Sequence, residues 1–355
     1  MNNKDGLTLL RKYRNCLMGF AALWIFIYHE WILVFNIPEV RSVEYFLKRF
    51  GYAGVDIFFF LSGVGLFFSM QSHSIPQFYY RRIRRIVIPF VTMGLVYVLR
   101  GEWTVKHMLR AISGYSFYTK SIYSLLWFIP AIATVYLLFP LYYKLFSSSR
   151  NKTIFTLSVI TVWLTASLAL KHTMREDFYL FTNRIPVFCA GCLCGHLSKE
   201  KKAIRGRDQW VLFILTLILG FYMCYRIKYK NMTLLVPSPS CLIPNFLIAT
   251  SLSFLLPKAW ETLNTVPVLK HVNKLFCRFL AFIGTFSLEF YCVQEKLCLI
   301  LKPMLPSAWG AIQKNIVYFV CSLAAGWILF LLQKTIWKLV DRIFSRHANP
   351  SQAAQ

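Results

Sequence analysis

A histidine lies near the end of the first long apolar segment of the chain, in the sequence Phe26-Ile-Tyr-His-Glu-Trp31. Titratable side chains inside apolar segments are costly and rare, so each of them is a candidate for function. An imidazole can act as a general base near neutral pH, and His29 could remove the proton from an attacking hydroxyl. The alternative is that His29 lies at the lipid headgroup boundary, which Glu30 and Trp31 would then mark. This segment alone favours neither interpretation.

A carboxylate at the start of the second apolar segment favours the catalytic interpretation. Asp56 lies in Gly54-Val-Asp-Ile-Phe-Phe-Phe-Leu-Ser-Gly63, after a short connection, so we expect it at the same membrane level as His29. A carboxylate that holds an imidazole in one tautomer and stabilises its cation forms a base-and-orienter pair with it. Asp56 could also cap its own helix, because an acidic side chain near a helix N-terminus satisfies unpaired amides. The two roles are compatible.

Four arginines are clustered in Arg81-Arg-Ile-Arg-Arg85, immediately before the third apolar segment. Such a cluster is typical of an anchor at the lipid headgroups, which fixes topology. It would also bind the phosphates of a nucleotide-like donor such as coenzyme A, with Arg81, Arg82 and Arg85 as the candidate donor-binding residues. The sequence supports either role.

A further carboxylate, Glu289, lies in the ninth apolar segment together with Gln294 and Glu295. A carboxylate in such a segment needs a partner or a water-filled cavity. The sequence leaves the role of Glu289 open.

Three of the ten cysteines, Cys189, Cys192 and Cys194, lie close together in the sequence. They could be read as a metal site, but the run Phe188-Cys-Ala-Gly-Cys-Leu-Cys-Gly195 has the small residues of a helix surface that a neighbouring helix approaches closely. Free cysteine behaves as a small buried hydrophobic residue. We therefore predict helix packing here and no metal.

The elements that must position these residues are indicated by the composition. Of the 355 residues, 57% are hydrophobic and only 15% are charged, a balance that excludes a water-soluble globule with a single core. The formal charge is +26, but the basic residues lie in short clusters between apolar segments. This distribution favours loops against anionic lipid headgroups over nucleic-acid binding. The lipid bilayer is therefore the expected partner, and nucleic acid is not.

The hydropathy pattern predicts an all-α membrane protein with about ten transmembrane helices, each of about 20 residues. The predicted spans are 15–35, 52–71, 83–100, 122–146, 152–170, 180–198, 209–226, 240–257, 279–300 and 315–334. Lysine and arginine are more frequent in the connecting segments on the side of the N-terminus, so both termini are expected to be cytoplasmic. A single transmembrane domain over 1–345 and a short polar tail over 346–355 are predicted.

Several of these segments resemble motifs of the acyltransferase-3 family of membrane acyltransferases, which modify cell-envelope glycans and some small molecules. The similar segments are Gly19-Phe-Ala-Ala-Leu-Trp-Ile-Phe-Ile-Tyr-His29, residues 54–63, residues 78–86 with Pro89, Leu126-Trp-Phe-Ile-Pro130, Tyr136-Leu-Leu-Phe-Pro140 and, more weakly, residues 184–195 and 283–291. The segment 54–63 is the most specific of them. The resemblance spans most of the chain and is strong up to Pro140.

The resemblance implies ten helices, an acyl-CoA donor that enters from the cytoplasm, and transfer to a hydroxyl on the outer side, with His29 essential. The expected donor is acetyl-CoA as a co-substrate, with no permanently bound cofactor. The expected acceptor is a hydroxyl of a bacterial cell-envelope polysaccharide or its lipid-linked precursor. Arg14, Ser62, Trp127 and Glu289 are expected to line the site.

Two positions depart from the family's pattern. The family usually has an arginine eleven residues before the histidine, where this chain has Met18. Eleven residues are close to three helical turns, so this position faces the same way as His29. Arg14 lies about one turn earlier and is the candidate substitute. Gln294 stands where many members have a histidine.

Two other functions are compatible with the sequence. A proton-coupled transporter or flippase would use the same intramembrane histidine and carboxylates. Against this alternative, the second half of the chain does not resemble the first. An inactive relative that acts as a scaffold is the other alternative, which Met18 favours.

Overall fold

The computed structural model describes residues 5–119, 126–170, 178–229 and 242–348, and these ranges contain helices and no strand. In chain order the helices are α1 (Gly6–Lys12), α2 (Arg14–Glu30), α3 (Pro38–Arg49), α4 (Ala53–Ser72), α5 (Ile75–Leu99), α6 (Val105–Ile112), α7 (Tyr115–Thr119), α8 (Phe128–Ser148), α9 (Lys152–Ala169), α10 (Tyr179–Thr182), α11 (Ile185–Lys199), α12 (Arg207–Tyr229), α13 (Leu242–Leu263), α14 (Pro267–Thr285), α15 (Ser287–Leu301) and α16 (Ala311–Ala348). The all-α prediction is confirmed.

Local signals define where several helices begin. The Asp5 carboxylate accepts a hydrogen bond from the Thr8 amide and caps α1. Ser74 and Gln77 form a reciprocal capping box at the start of α5. Pro38 and Pro267 are the first residues of α3 and α14, where a missing amide hydrogen costs nothing. These starts follow from short-range chemistry.

Each of the ten predicted spans overlaps a helix. Within the described ranges, four helices are long and apolar enough to cross a membrane: Ala53–Ser72, Phe128–Ser148, Arg207–Ile227 and Ala311–Ile343. A fifth crossing results if α14 and α15 are counted as one bent span. The arrangement of ten spans with cytoplasmic termini remains a prediction, and parts of the predicted spans 122–146 and 240–257 lie outside the described residues.

Three predicted spans have different limits in the structure. The span 15–35 is helical only to Glu30, because the following backbone is extended and is held by Asn315, whose amide exchanges two 2.8 Å hydrogen bonds with the backbone of Ile32. The span 180–198 is divided, since α10 ends at Thr182 and α11 begins at Ile185.

The ninth predicted span, 279–300, is broken. At Phe286 the backbone leaves the helical conformation, with φ −126° and ψ 28°, and α14 and α15 meet there at an angle of 79°. Gly284, two residues earlier, packs directly on α2: a Cβ there would overlap the carbonyl oxygen of Asn15. The break therefore lies beside the start of α2, and it places the first turn of α15 inside the bundle.

Backbone-to-backbone contact joins α4 to α11. A Cβ at Gly63 would overlap the carbonyl oxygen of Phe188, and a Cβ at Gly191 would overlap that of Phe60. Cys189 and Cys192 are buried in the same face of α11. This is the close helix packing that we predicted from the small residues of this segment.

Contact between a glycine and a backbone carbonyl oxygen also joins α2 to α14. A Cβ at Gly19 would overlap the carbonyl oxygen of Leu280, one helical turn from the contact between Gly284 and Asn15. On the other side of α2, Gly54 of α4 packs on Ala21. Since α2 is held by backbone on two sides, its residues have little freedom to shift along the helix axis.

The contact at Gly191 yields a prediction about stability. Gly191→Ala forces α4 and α11 apart, and overpacking of this kind costs about 1–3 kcal/mol. Purified protein carrying the substitution should melt at a lower temperature than the wild type. The control is Gly206→Ala, where the nearest atom to the new Cβ would be the flexible Gln209 Oε1 at 3.6 Å. Equal melting temperatures for the two variants would contradict the packing argument.

Candidate active site

Three arginines from two helices converge beside the start of α2. Arg14 is the first residue of α2, and its guanidinium lies against Gly65 of α4, 3.2 Å from where a Cβ would stand. It is close enough to Arg82 and Arg85 of α5 to interact with their charges. These three side chains, Arg14, Arg82 and Arg85, are called the arginine cluster below.

Arg82 is held in the cluster by a hydroxyl and two rings. Its Nη2 donates to Ser69 Oγ at 2.7 Å, and its guanidinium lies 5.4 Å from the ring centre of Phe78 and 5.7 Å from that of Tyr136. Its Nε is buried and has no hydrogen-bond partner among the described residues. An arginine with a donor to spare can bind an anion.

Arg85 is paired with Glu289, the carboxylate whose role the sequence left open. Arg85 Nη1 donates to Glu289 Oε1 at 3.0 Å, and Glu289 has no exposed surface. Glu289 lies in the first turn of α15, immediately after the helix break, and its Oε2 has no hydrogen-bond partner in the described part of the chain. The requirement for a partner is therefore met by Arg85.

One carboxylate faces three guanidiniums in this cluster, so the site carries an excess of positive charge. The N-terminus of α15 opens towards the same place, because Glu289 in its first turn bonds Arg85. Arginines and a helix N-terminus together favour phosphate groups, which accept several charge-assisted hydrogen bonds at once. The arrangement can hold the phosphates of a donor.

Of the three arginines predicted to bind the donor, Arg82 and Arg85 belong to the arginine cluster. Arg81 is one turn before Arg85 on the same face of α5, and its charge acts on Arg82. Arg81 is exposed, and its Nη1 bonds His73 Nε2 at 2.5 Å. Arg14 of α2 lies close to Arg82 and Arg85 as well. Met18 is half-buried and packs against the apolar core.

His29 lies in the last turn of α2, about 22 Å along the helix from Arg14 at a rise of about 1.5 Å per residue. Its side chain is exposed and lines a cavity of about 430 Å³, and its ring meets that of Tyr28 edge-on at 4.8 Å. The cavity is also lined by four charged side chains, Glu30, Lys48, Glu295 and Lys302, and by Tyr318. A base that is accessible from a polar cavity can reach a substrate hydroxyl.

Asp56 does not pair with His29 in the structure. It is buried, and its Oδ2 accepts a 3.3 Å hydrogen bond from Asn245 Nδ2 and lies 3.5 Å from Arg184 Nη2. Among the described residues, Asp56 therefore makes no contact with His29 through which it could orient the imidazole. Its ion-pair partner is instead Arg184, the residue immediately before α11.

The crossing of α2 and α4 explains this difference. Gly51 packs on Tyr28, the neighbour of His29, while Gly54 packs on Ala21, two turns deeper in α2. Since α4 runs away from the His29 end, Asp56 lies deeper still. His29 and Asp56 lie on successive apolar segments of the chain, but they are at different depths in the helix bundle.

The remaining predicted residues lie near Asp56 or within the core. Trp127 is half-buried, and the Arg184 guanidinium lies 5.1 Å from its ring centre. Ser62 is half-buried on α4, one residue before the contact of Gly63 with α11. Gln294 is buried, and its Oε1 has no hydrogen-bond partner among the described residues.

Sequence reasoning missed the partners of Asp56. Arg184 and Asn245 both lie in predicted spans, 180–198 and 240–257, and neither of them is given a role in the sequence analysis. A buried arginine in one apolar segment and a buried aspartate in another are a signal for an ion pair, because neither charge is tolerated alone.

The segment after His29 is tied down by α3. Glu44 accepts hydrogen bonds from the indole of Trp31 at 2.7 Å and from the backbone amides of Val34 at 2.9 Å and Phe35 at 3.2 Å. Lys48, which lines the His29 cavity, donates to the carbonyl oxygen of Trp31. Burial opposes ionisation of Glu44, but these hydrogen bonds outweigh it and lower its pKa. Glu44 thus fixes one wall of the cavity.

A comparison with protein-family models matches residues 12–331 to the acyltransferase-3 model, described as an acyltransferase domain. The matched range contains the arginine cluster, His29, Asp56 and Glu289. No curated protein and no solved structure matches the chain.

The pair between Arg85 and Glu289 yields a second prediction. Arg85→Gln leaves a buried carboxylate without its cation and should destabilise the protein by about 3 kcal/mol, because Glu289 is fully buried while Arg85 is partly exposed. The double substitution Arg85→Gln with Glu289→Gln should recover much of this loss. The measurement is the melting temperature, with the exposed Arg150→Gln as control. A double variant as unstable as the single one would show that the pair is not the cause.

The lowered pKa of Glu44 yields a prediction about pH. The ionised carboxylate stabilises the folded state above its ordinary pKa of 4.5, and this contribution is lost as the pH falls through the lowered value. Glu44→Gln should therefore reduce the melting temperature at pH 7, and the difference from the wild type should shrink as the pH falls below the ordinary pKa of 4.5. The control is Glu39→Gln in the exposed first turn of α3. A difference that does not change with pH would refute this account.

Proposed function

Because the chain belongs to the acyltransferase-3 family, we propose that it moves an acyl group from acyl-CoA to a hydroxyl of a cell-envelope polysaccharide or its lipid-linked precursor. Acetyl is the expected group, and the proposed location is a bacterial cell membrane, with the bilayer surrounding the apolar helices. The observation that carries the proposal is that one helix, α2, has a cationic cluster at its first residue and an accessible histidine in its last turn.

The arginine cluster is the proposed donor site. A coenzyme A thioester has a pyrophosphate, and Arg14, Arg82 and Arg85 offer guanidiniums around a position where only one of their charges is matched by a carboxylate. The unpartnered Nε of Arg82 is a further donor for an anion. Phosphates bound here would leave the thioester arm free to run along α2 towards His29.

The cavity at His29 is the proposed acceptor site. His29 takes the proton of the acceptor hydroxyl as its oxygen attacks the thioester carbonyl. When the tetrahedral intermediate collapses, the carbon–sulfur bond breaks, and the thiolate of coenzyme A leaves with a proton from the imidazolium. The products are the acyl ester and free coenzyme A, and no permanently bound cofactor takes part.

The position of Asp56 changes one part of the mechanism. Since Asp56 is committed to Arg184 and Asn245, it is assigned to holding α4, α11 and α13 together. Glu30 and Glu295 line the same cavity as His29 and are the carboxylates available to orient it or the acceptor. Ser62 and Trp127 are assigned to the packing around Asp56, Arg184 and Gly63, and no contact with substrate is assigned to them.

A proton-coupled transporter is the second candidate function, and one observation favours it. Transporters often contain discontinuous helices whose ends face a binding site, and the junction of α14 and α15 is such a break. Transporter folds usually repeat the break in a second half, however, and the described ranges contain one bent pair of this kind. The family match favours acyl transfer.

The proposed function predicts that His29→Ala abolishes acylation. A general base contributes about 10²–10⁴ in rate, so we expect acylation of envelope glycan to fall at least about a hundredfold at equal expression. The control is His271→Ala, since His271 is exposed on α14. The measurement is the ester content of purified glycan from cells with each variant. Undiminished acylation with His29→Ala would overturn the catalytic assignment.

A further inference from the structure

Helix α3, which fixes one wall of the His29 cavity, has an exposed apolar face. Among the described residues, none in Pro38–Arg49 is buried. Val40, Val43 and Leu47 are 39%, 60% and 51% exposed. Because they are three and four residues apart, they lie along one side of the helix, called the apolar face of α3 below. A contiguous apolar surface of this kind marks a contact site.

The opposite side of α3 is polar. At about 3.6 residues per turn, Ser42, Tyr45 and Arg49 point away from the apolar face. Arg49 Nη1 donates to the Tyr45 hydroxyl at 2.8 Å, and the Arg49 guanidinium lies 5.6 Å from the centre of that ring. The exposed Arg41 adds a second cation to this side. Opposed apolar and basic faces are typical of a helix that lies in a membrane surface.

Contacts hold α3 on both flanks of its apolar face. On one flank, Glu44 accepts hydrogen bonds from Trp31 and Val34 of the segment after α2. On the other flank, the ring centre of Phe46 lies 5.4 Å from that of Phe221 in α12. Around the helix, the apolar face lies between Glu44 and Phe46. It is therefore directed between α2 and α12 rather than away from the molecule.

The apolar face of α3 continues an apolar surface of α12. The segment Arg207–Ile227 is long and apolar enough to cross a membrane, yet only 11% of it is buried against the rest of the protein. Leu215 and Leu219 are exposed on one side of it, as expected of a helix that faces lipid. Phe46 meets α12 at Phe221, about 9 Å before the end of this segment at a rise of about 1.5 Å per residue. Helix α3 is therefore attached near the level at which α12 leaves the hydrocarbon.

We propose that α3 is an interfacial helix, whose apolar face lies in the bilayer leaflet next to His29 while Arg41 and Arg49 lie among the lipid headgroups. A helix of this kind places its apolar face about 5–10 Å into the boundary between headgroups and acyl chains, which matches the depth of the contact at Phe221. Lipid is favoured over a protein partner because the apolar face is continuous with the lipid-facing side of α12. The inference does not depend on the proposed reaction.

The consequence for the His29 cavity is that lipid supports one of its walls. Lys48 of α3 lines the cavity. Glu44 of the same helix holds the backbone amides of Val34 and Phe35. Binding of α3 to the bilayer therefore restrains both the lysine and the segment after α2, and it places the cavity near the depth of the headgroups.

The first test places a fluorescent probe on each side of α3. The NBD group is attached through an azide-bearing amino acid at either Val43 or Ser42 of the full-length protein, which is then reconstituted into phosphatidylcholine vesicles. Quenching is measured with iodide on both sides of the bilayer and, separately, with lipids that carry a nitroxide on the acyl chain. Iodide should quench the probe at Val43 at least about fivefold less than the probe at Ser42, because the apolar face is out of the water phase. Nitroxide lipids should quench the probe at Val43 more strongly.

Two outcomes of this test would overturn the inference. Equal quenching by iodide at the two positions would show that α3 lies in water. A probe at Val43 that is shielded from iodide and also from nitroxide lipids would show that protein, either a second copy of this chain or another partner, covers the apolar face.

A second measurement tests the support that lipid gives to α3. Val43→Asp combined with Leu47→Asp should raise hydrogen exchange of the α3 amides in vesicles by about tenfold, because a helix without its membrane contact opens more often. The control, Ser42→Asp on the polar side, should exchange at the wild-type rate. Val43 and Leu47 are exposed, so the double variant is expected to fold, and its melting temperature in detergent checks this. Unchanged exchange in the double variant would show that lipid does not hold α3.

Discussion

The ion pair between Arg85 and Glu289 is the interaction on which the rest of the site depends. Three guanidiniums cannot share a buried place without an anion, because their charges repel and burial removes the water that would screen them. Glu289 supplies that anion from within the core, and it can do so only because α14 ends at Thr285 and α15 begins a new turn beside α5. The helix break, the carboxylate and the cluster are therefore one structural unit.

This unit is held in place by backbone contacts. Glycines let α2 touch α14 on one side and α4 on the other, and the same device joins α4 to α11. Side chains at such contacts would let neighbouring helices slide over a range of positions, whereas carbonyl oxygens against glycine allow very little. The polar residues of the site are few, but each projects from a helix whose position is fixed in this way.

Much of the fold could be predicted from the sequence, because hydropathy and helix caps act over a few residues. A helix was predicted in each of ten segments, and each segment overlaps a helix of the structure; close packing around Gly191 was predicted as well. Relations between helices could not be predicted: whether Asp56 meets His29 depends on where α2 and α4 cross, and that is set by Gly51 and Gly54 rather than by loop length. The break at Phe286 was missed for a similar reason, since its residues are as apolar as those of a continuous span.

For the arginines too, features within one segment could be predicted, whereas contacts between helices could not. Their number and their place before a span could be read from the sequence, and the helical repeat places Arg81, Arg82 and Arg85 within one turn of the same face. The addition of Arg14 could only be guessed, because it comes from another helix. Asp56 needed its partner Arg184 to be understood, and that partner lies more than a hundred residues later.

One consequence follows from α2 carrying Arg14 in its first turn and His29 in its last. A rigid helix with a cationic site at one end and a base at the other fixes the distance between these two groups. Under the proposed function, this distance must match the length of the carrier that joins phosphate to thioester, whereas the size of the acyl group beyond the thioester does not affect it. Selection among acyl groups must then be made elsewhere, by the walls of the His29 cavity, so that carrier and cargo are recognised independently.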